Sequence, residues 1–180
     1  MRLNRFLKED GVDLDFRPEL PEPSEEEALA AAEDPDAPPS PRQLWAQKEA
    51  ILDALVTLLE ASGNVSNRRK LLQDLVNRER RATTGLGSGF ALPHVRTAQA
   101  KGFAMAVGVV RGEGLAFDSV DGEPVRLFIA MVAPAYDDRF YVKVERDLAA
   151  AFASGPELLE ELLAASSPGE LVRILARATG

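Results

Sequence analysis

Cysteine is absent from this chain of 180 residues and histidine occurs once, so several kinds of site are excluded at the outset. Zinc in structural sites prefers sulfur and nitrogen ligands, and one imidazole cannot supply a set of them. The sequence therefore predicts neither a metal nor another cofactor. A chain without cysteine is compatible with the cytoplasm. It also lacks an apolar run of about 18 residues and a basic-then-apolar leader, so we expect no membrane insertion and no signal peptide.

Three common functional motifs are missing as well. The run Gly85-Leu86-Gly87-Ser88-Gly89 has the spacing G-x-G-x-G, and a strand-like stretch follows it instead of the helix that a dinucleotide fingerprint requires. No G-K-[ST] occurs, which excludes a P-loop. Gly87-Ser88-Gly89 is too short for the nucleophile elbow of a hydrolase, although a Ser-His-Asp site remains open. The formal net charge of −8 argues against a nucleic-acid partner.

The negative charge is concentrated in residues 19–40, which hold eight acidic residues and no basic one, so the rest of the chain is formally neutral. Five prolines and few apolar side chains mean that this segment cannot bury enough surface to offset its ordering entropy. We expect a mostly disordered, solvated insertion around a helix-prone piece from Ser24 to Glu33, which opens with a capping box of Ser24 and Glu27. The segment separates a half-buried strand pattern at Val12–Phe16 from the main body.

The main body alternates between helical and strand periodicity and suits one globular α/β or α+β domain. Helices are predicted over 40–63, 66–80, 141–152, 156–164 and 168–178, with the first and last opened by serine caps at Ser40 and Ser167. Strands are predicted over 103–110 and 125–133. Both strands are apolar throughout, which is typical of neighbouring strands buried on both faces.

His94, the single histidine, follows Pro93 at the end of the glycine-spaced run. A neutral imidazole can attack phosphorus, act as a general base or bind a metal, and an ordinary polar loop residue is the structural alternative. Proline fixes the backbone just before the ring, and the upstream glycines allow a sharp turn. The segment therefore predicts a loop that presents the histidine.

The residues on both sides of this loop resemble a known family. Asn77–Thr84, the glycine run and Ala91-Leu92-Pro93-His94-Val95-Arg96 are similar to the signature of the EIIA domain of the fructose/mannitol type, from the bacterial phosphoenolpyruvate-dependent sugar phosphotransferase system. That family has an Arg-Glu pair, a Thr-Gly-x-Gly-x-Gly turn and an apolar-Pro-His-x-Arg motif in this order and spacing. The resemblance covers residues 1–180 as a single EIIA-like domain, with 19–40 as an insertion without counterpart. It implies an α/β fold with a central mixed β-sheet flanked by helices.

The resemblance also implies site residues. His94 would accept a phosphoryl group from the phosphohistidine of the carrier HPr. Arg78 matches the family arginine that faces the phosphoryl oxygens, although an ordinary helix-end arginine that pairs with Glu79 or with solvent is the alternative. Arg96 matches the arginine after the histidine, and Thr84 opens the glycine turn. Family members that transport sugars usually carry a second histidine where Tyr141 stands, and a tyrosine can donate one hydrogen bond but supplies no positive charge.

Two hypotheses follow for the function. In the first, the protein is a histidine phosphocarrier, and hence a phosphotransferase if active, that passes the phosphoryl group from HPr to an EIIB domain. In the second, it is a regulatory or binding module whose phosphorylation state controls a target protein, as in the nitrogen-related members. The missing second histidine and the acidic insertion favour the second hypothesis, whereas the intact motif residues favour the first. Regulatory phosphorylation at His94 accommodates both sets of observations.

Overall fold

The computed structural model describes residues 3–137 and 139–180, in which a mixed β-sheet separates two layers of helices. The helices are α1 (Glu25–Glu33), α2 (Pro41–Glu60), α3 (Arg68–Arg81), α4 (Arg139–Ala153), α5 (Glu157–Leu163) and α6 (Pro168–Ala178). The strands are β1 (Val12–Asp13), β2 (Gly85–Gly87), β3 (Phe90–Ala91), β4 (His94–Arg96), β5 (Ala104–Val109) and β6 (Leu127–Ala133). Among the residues described, none of the helices combines the length and the apolar character needed to cross a bilayer.

The sheet is built around the antiparallel pair β5 and β6. β1 pairs with β5 in parallel, while β3 and β4 both pair in parallel with the other edge of β6, and β2 closes a hairpin with β3. Every residue of β5 and β6 is buried, because alternate side chains enter two separate cores. Val107 and Ile129 pack on the side of α4, α5 and α6, whereas Ala106 and Phe128 pack on the side of α2 and α3. The predicted mixed sheet, and its burial on both faces, are confirmed.

The helix starts follow from capping side chains. The side-chain oxygens of Ser40 and Ser167 accept hydrogen bonds from the backbone N–H groups of Gln43 and Glu170, as predicted for α2 and α6. α3 is capped by Asn67, which places its start slightly later than the predicted one. The N-terminal strand is shorter than its pattern suggested: the Asp13 carboxylate accepts the N–H of Asp15, and this local turn ends β1.

The acidic segment, residues 19–40, contains α1. The predicted capping box is present, since Ser24 Oγ accepts the N–H of Glu27 and the Glu27 carboxylate accepts the N–H of Ser24. The hydroxyl of Ser40 donates to the same carboxylate, and these hydrogen bonds, with that of Ser40 the largest, lower the pKa of Glu27. No residue of α1 is buried. This polar contact links the helix to the start of α2, and disorder in the remainder of the segment stays a prediction.

A buried ion pair joins α2 to α3. Lys48 Nζ lies 2.9 Å from Glu79 Oε1, and each side chain is 1% exposed. The Glu79 carboxylate also accepts the Thr84 N–H at 2.9 Å and the Thr84 hydroxyl at 2.5 Å. Because Thr84 directly precedes β2, one carboxylate fixes the last turn of α3 both to α2 and to the start of the glycine-rich hairpin. That last turn carries Arg78.

We expect Lys48→Met to lower the free energy of unfolding by about 3–5 kcal/mol, because methionine replaces the lysine stem but leaves the Glu79 carboxylate buried without a counter-charge. Urea denaturation measures the loss. The double variant Lys48→Met/Glu79→Gln has no buried charge and should recover most of it. Lys70→Met, at an exposed position of α3, is the control and should change stability by less than about 0.5 kcal/mol. A Lys48→Met variant as stable as the parent would contradict the importance of this pair.

Candidate functional site

β3 and β4 both lie along the same side of β6, and Leu92 and Pro93 separate them. Proline has no N–H for the ladder, but its carbonyl accepts the N–H of Met131 at 2.9 Å, which keeps the register with β6. The N–H of Leu92 donates to Thr84 O at 2.9 Å. The interruption directs the Leu92 carbonyl toward the ring of His94, which is the first residue of β4.

The hairpin between β2 and β3 turns within three residues. Gly87, Ser88 and Gly89 have φ values of 91°, 54° and 79°, so all three lie in the left-handed region that glycine adopts at little cost. The N–H of Ser88 donates to the Asp121 carboxylate at 2.7 Å, which supports the one non-glycine residue among these three. The predicted sharp turn is confirmed, but the prediction that a loop presents the histidine is wrong: His94 is the first residue of β4, because its backbone pairs with Met131 of β6.

The His94 ring is held in one orientation and one tautomer. Nδ1 lies 2.5 Å from the carbonyl oxygen of Leu92, and a carbonyl can only accept, so Nδ1 carries the proton. Nε2 is then the unprotonated nitrogen of the neutral ring. It lies 3.3 Å from Arg78 Nη2 and 3.2 Å from Glu145 Oε1. The nitrogen with the free electron pair is therefore the one that meets charged side chains.

His94 is 7% exposed, and burial is the largest influence on its pKa, which lies below the ordinary value of 6.5. The Leu92 carbonyl and the Glu145 carboxylate favour the protonated ring and act against this shift, and Arg78 reinforces it. The neutral form is consequently favoured at physiological pH. A neutral imidazole is the form that can act as a nucleophile.

An open cavity of about 480 Å³ adjoins the ring, and its lining includes three arginines: Arg78, Arg81 and Arg96. The other terminal nitrogen of Arg78, Nη1, donates to the carbonyl of Ala82 at 3.0 Å and so holds the side chain in place. The guanidinium therefore contacts His94, and the alternative of a simple Arg78–Glu79 pair is wrong, because Glu79 is bound to Lys48 and Thr84. Guanidinium groups bind phosphoryl oxygens through paired N–H donors, so the cavity suits a small dianion.

Tyr141, which the family resemblance places where a second histidine usually stands, lies beside His94. Its ring centroid is 5.8 Å from that of His94, and the guanidinium carbon of Arg96 lies 5.8 Å from the Tyr141 ring. Burial and the nearby Glu145 carboxylate raise the pKa of the Tyr141 hydroxyl, so the hydroxyl stays protonated and available as a donor. α4 thus brings one hydrogen-bond donor to the place expected for a second histidine.

Four of the five predicted site residues meet at the cavity: His94, Arg78, Arg96 and Tyr141. Thr84 does not line it, because its hydroxyl and N–H are both bound to Glu79. Sequence reasoning missed Glu145 and Arg81. Glu145 follows Tyr141 by four residues and therefore shares its helix face, which was the available signal. Arg81 similarly follows Arg78 by three residues on α3.

Comparisons with known proteins identify the family of this chain. Residues 42–178 match the family model described as "Phosphoenolpyruvate-dependent sugar phosphotransferase system, EIIA 2", so the chain belongs to this family. It is 30% identical to the fructose-specific EIIA component of Haloferax volcanii over 73% of this chain and 84% of that protein. It also spans 20% of the length of fructose-specific EIIABC and 2-O-α-mannosyl-D-glycerate-specific EIIABC components.

Two solved structures share the fold. The nitrogen regulatory protein IIA-Ntr of Neisseria meningitidis superposes with a TM-score of 0.66 at 31% identity, covering 71% of this chain and 86% of its own. Enzyme IIA mannitol of Escherichia coli, solved in complex with phosphorylated enzyme IIB mannitol, superposes with a TM-score of 0.59 at 22% identity, covering 72% and 88%. The family thus includes both sugar-specific and nitrogen-regulatory relatives of this chain, and one EIIA domain of this fold contacts an EIIB domain.

The single histidine makes its protonation directly measurable. We expect the ring signals of His94 to titrate with a midpoint below 6.5 in NMR spectra, because burial penalises the imidazolium form. The unfolded chain has the ordinary pKa and binds the proton first as pH falls, so the free energy of unfolding should decrease between that pKa and the lower folded one. Urea denaturation of the parent and of His94→Gln from about pH 8 to pH 5 isolates this contribution. A midpoint above 6.5 would contradict the assignment.

Proposed function

We propose that His94 accepts a phosphoryl group on Nε2 from the phosphohistidine of HPr. One observation carries the proposal: the only imidazole of the chain is fixed with its proton on Nδ1 and its Nε2 facing a cavity lined by arginines. The family to which the chain belongs supplies the donor. Arg78, Arg81 and Arg96 would compensate the phosphoryl charge, and Thr84 would act only by holding the turn through Glu79.

The proposed step needs little covalent chemistry from the protein. The electron pair of Nε2 forms the new N–P bond while the N–P bond of phospho-HPr breaks and its electron pair returns to the donor imidazole. The Nδ1 proton stays on His94, bound to the Leu92 carbonyl. Charge on the transferred group spreads over its equatorial oxygens, so positioning and guanidinium contacts do most of the catalysis.

We further propose that this phosphorylation is regulatory, of the nitrogen-related kind, and takes place in the cytoplasm of a bacterial cell. Tyr141 supports this choice, because it stands where the family usually has a second histidine and offers a hydrogen-bond donor that carries no positive charge. One alternative is transfer to a sugar-specific EIIB domain, which the intact Arg78, His94 and Arg96 favour. The other alternative is a non-catalytic module that keeps the fold.

Incubation with phosphoenolpyruvate, Enzyme I and HPr should attach one acid-labile, base-stable phosphoryl group, as expected for phosphohistidine. His94→Ala should abolish the label, since the chain has no second histidine. Adding a fructose-type EIIB domain then distinguishes the two roles, because a regulatory protein should lose little label to it. The phosphocarrier proposal would be contradicted if His94→Ala were labelled, or if the parent stayed unlabelled with a cognate HPr. The non-catalytic module would then be the remaining function.

Substitution of Tyr141 separates a contact with the phosphoryl group from simple packing. Tyr141→His adds a donor that can carry charge, and we expect it to speed phosphorylation by up to about tenfold, equivalent to roughly 1.4 kcal/mol. Tyr141→Phe should slow phosphorylation if the hydroxyl donates to a phosphoryl oxygen, and an unchanged rate would show a packing role. Tyr136→Phe is the matched control, because Tyr136 is 83% exposed and absent from the cavity lining. The rates are measured by mass spectrometry during transfer from phospho-HPr.

A further inference from the structure

The Glu145 carboxylate occupies the place where the proposed chemistry happens. Its Oε1 lies 3.2 Å from Nε2 of His94, the nitrogen that carries the electron pair. A neutral ring with its proton on Nδ1 has no hydrogen to donate from Nε2, so the carboxylate gains no hydrogen bond there. Its favourable partner would be the protonated ring. The contact therefore stabilises the form of His94 that cannot attack phosphorus.

A phosphoryl group on Nε2 must displace this carboxylate. A covalently bound phosphorus lies closer to Nε2 than the 3.2 Å that now separates Glu145 Oε1 from it, and its oxygens extend into the same space. Two anionic groups would then meet at one side of a largely buried ring. Like charges a few ångströms apart repel strongly where water is partly excluded. Glu145 can move aside, because its side chain is 38% exposed whereas that of His94 is 9% exposed.

Glu145 differs in charge and contacts from the other charged groups around the His94 ring. The charged or titratable groups that face His94 or line its cavity are Arg78, Glu79 and Arg81 from α3, Arg96 on β4, and Tyr141 and Glu145 from α4. The arginines attract a phosphoryl group. Glu79 is neutralised by Lys48 and bonded to Thr84, so it is fixed. Glu145 is the carboxylate in contact with Nε2, and it belongs to the same helix face as Tyr141.

We propose that Glu145 opposes phosphorylation of His94 by competing with the phosphoryl group for the space and the positive charge at Nε2. The inference rests on the proposed phosphorylation of His94 and adds the residue that sets its equilibrium. Glu145 lowers the stability of the phosphorylated form. The protein therefore becomes phosphorylated only when phospho-HPr is abundant, and it returns its phosphoryl group to HPr readily. Glu145 acts through its charge and the space it occupies, and it takes no part in bond formation.

The first test examines the contact without any phosphorylation. The His94 NMR titration is compared between the parent, Glu145→Gln and Asp147→Asn. Glutamine keeps the shape of glutamate and removes its charge, so the pKa of His94 should fall in Glu145→Gln. Asp147 provides the control, since it is a carboxylate of the same helix that pairs with Lys143 and Arg146. Asp147→Asn should leave the His94 titration unchanged.

The second test measures the equilibrium of phosphoryl exchange with phospho-HPr, from the fractions of both phosphoproteins. Glu145→Gln should shift it toward phosphorylated protein by about tenfold, and Asp147→Asn should not shift it. Phosphoramidate serves as a second donor that needs no protein docking: its P–N bond breaks, ammonia leaves and the N–P bond to His94 forms. The Glu145→Gln variant should react faster with this donor as well, because the carboxylate no longer covers Nε2.

The outcomes are distinguishable. A lower His94 pKa together with a shifted equilibrium supports the inference. An unchanged pKa shows that the contact is absent in solution, and a lower pKa with an unchanged equilibrium shows that the contact has no effect on transfer; either result overturns the inference while the phosphocarrier function stands. If neither donor labels the parent or Glu145→Gln, the proposed function itself is overturned. Label in Glu145→Gln but not in the parent would overturn the phosphocarrier function of the parent chain and still support the inference, because it would show that Glu145 keeps the phosphoryl group off Nε2.

Discussion

The Lys48–Glu79 ion pair is the contact on which the geometry of the site depends. Two charges that are each 1% exposed cost free energy to bury, and they are tolerated when every remaining hydrogen-bonding position finds a partner. Glu79 meets this condition through the N–H and hydroxyl of Thr84. The result is that α2, the end of α3 and the start of the hairpin β2–β3 share one anchor. Because Arg78 precedes Glu79 in the same turn, the anchor also fixes the arginine that reaches Nε2 of His94.

Elements of the sequence with strong local signals were predictable. The serine caps at Ser40 and Ser167, the capping box of Ser24 and Glu27, and the apolar strands β5 and β6 each depend on neighbouring residues alone, and all are confirmed. β1 was predicted too long because an aspartate turn ended it. The register that puts Tyr141 beside His94 came from the family resemblance, and the 5.8 Å between the rings agrees with it.

Contacts between distant parts of the chain were harder to predict. Lys48 reads as a solvent-exposed lysine on an amphipathic helix, and only the folded packing of α2 on α3 buries it. Thr84 is one of the predicted site residues because it stands in the motif, yet its hydroxyl donates to the buried Glu79 carboxylate and does not face the cavity. Glu145 resembles any polar residue of α4. Its position at Nε2 depends on the angle between α4 and β4, which neither periodicity nor composition specifies.

Opposed interactions at a single nitrogen determine the behaviour of the site. Burial holds His94 neutral and reactive, and the Leu92 carbonyl directs the electron pair of the ring into the cavity. Three arginines favour an anion there, whereas Glu145 disfavours one. A site made only of cations would hold a phosphoryl group tightly and release it slowly. A partly exposed carboxylate beside these arginines instead brings the two states closer in free energy. In the proposed reaction, modest changes in the supply of phospho-HPr would then change the phosphorylated fraction, as regulation requires.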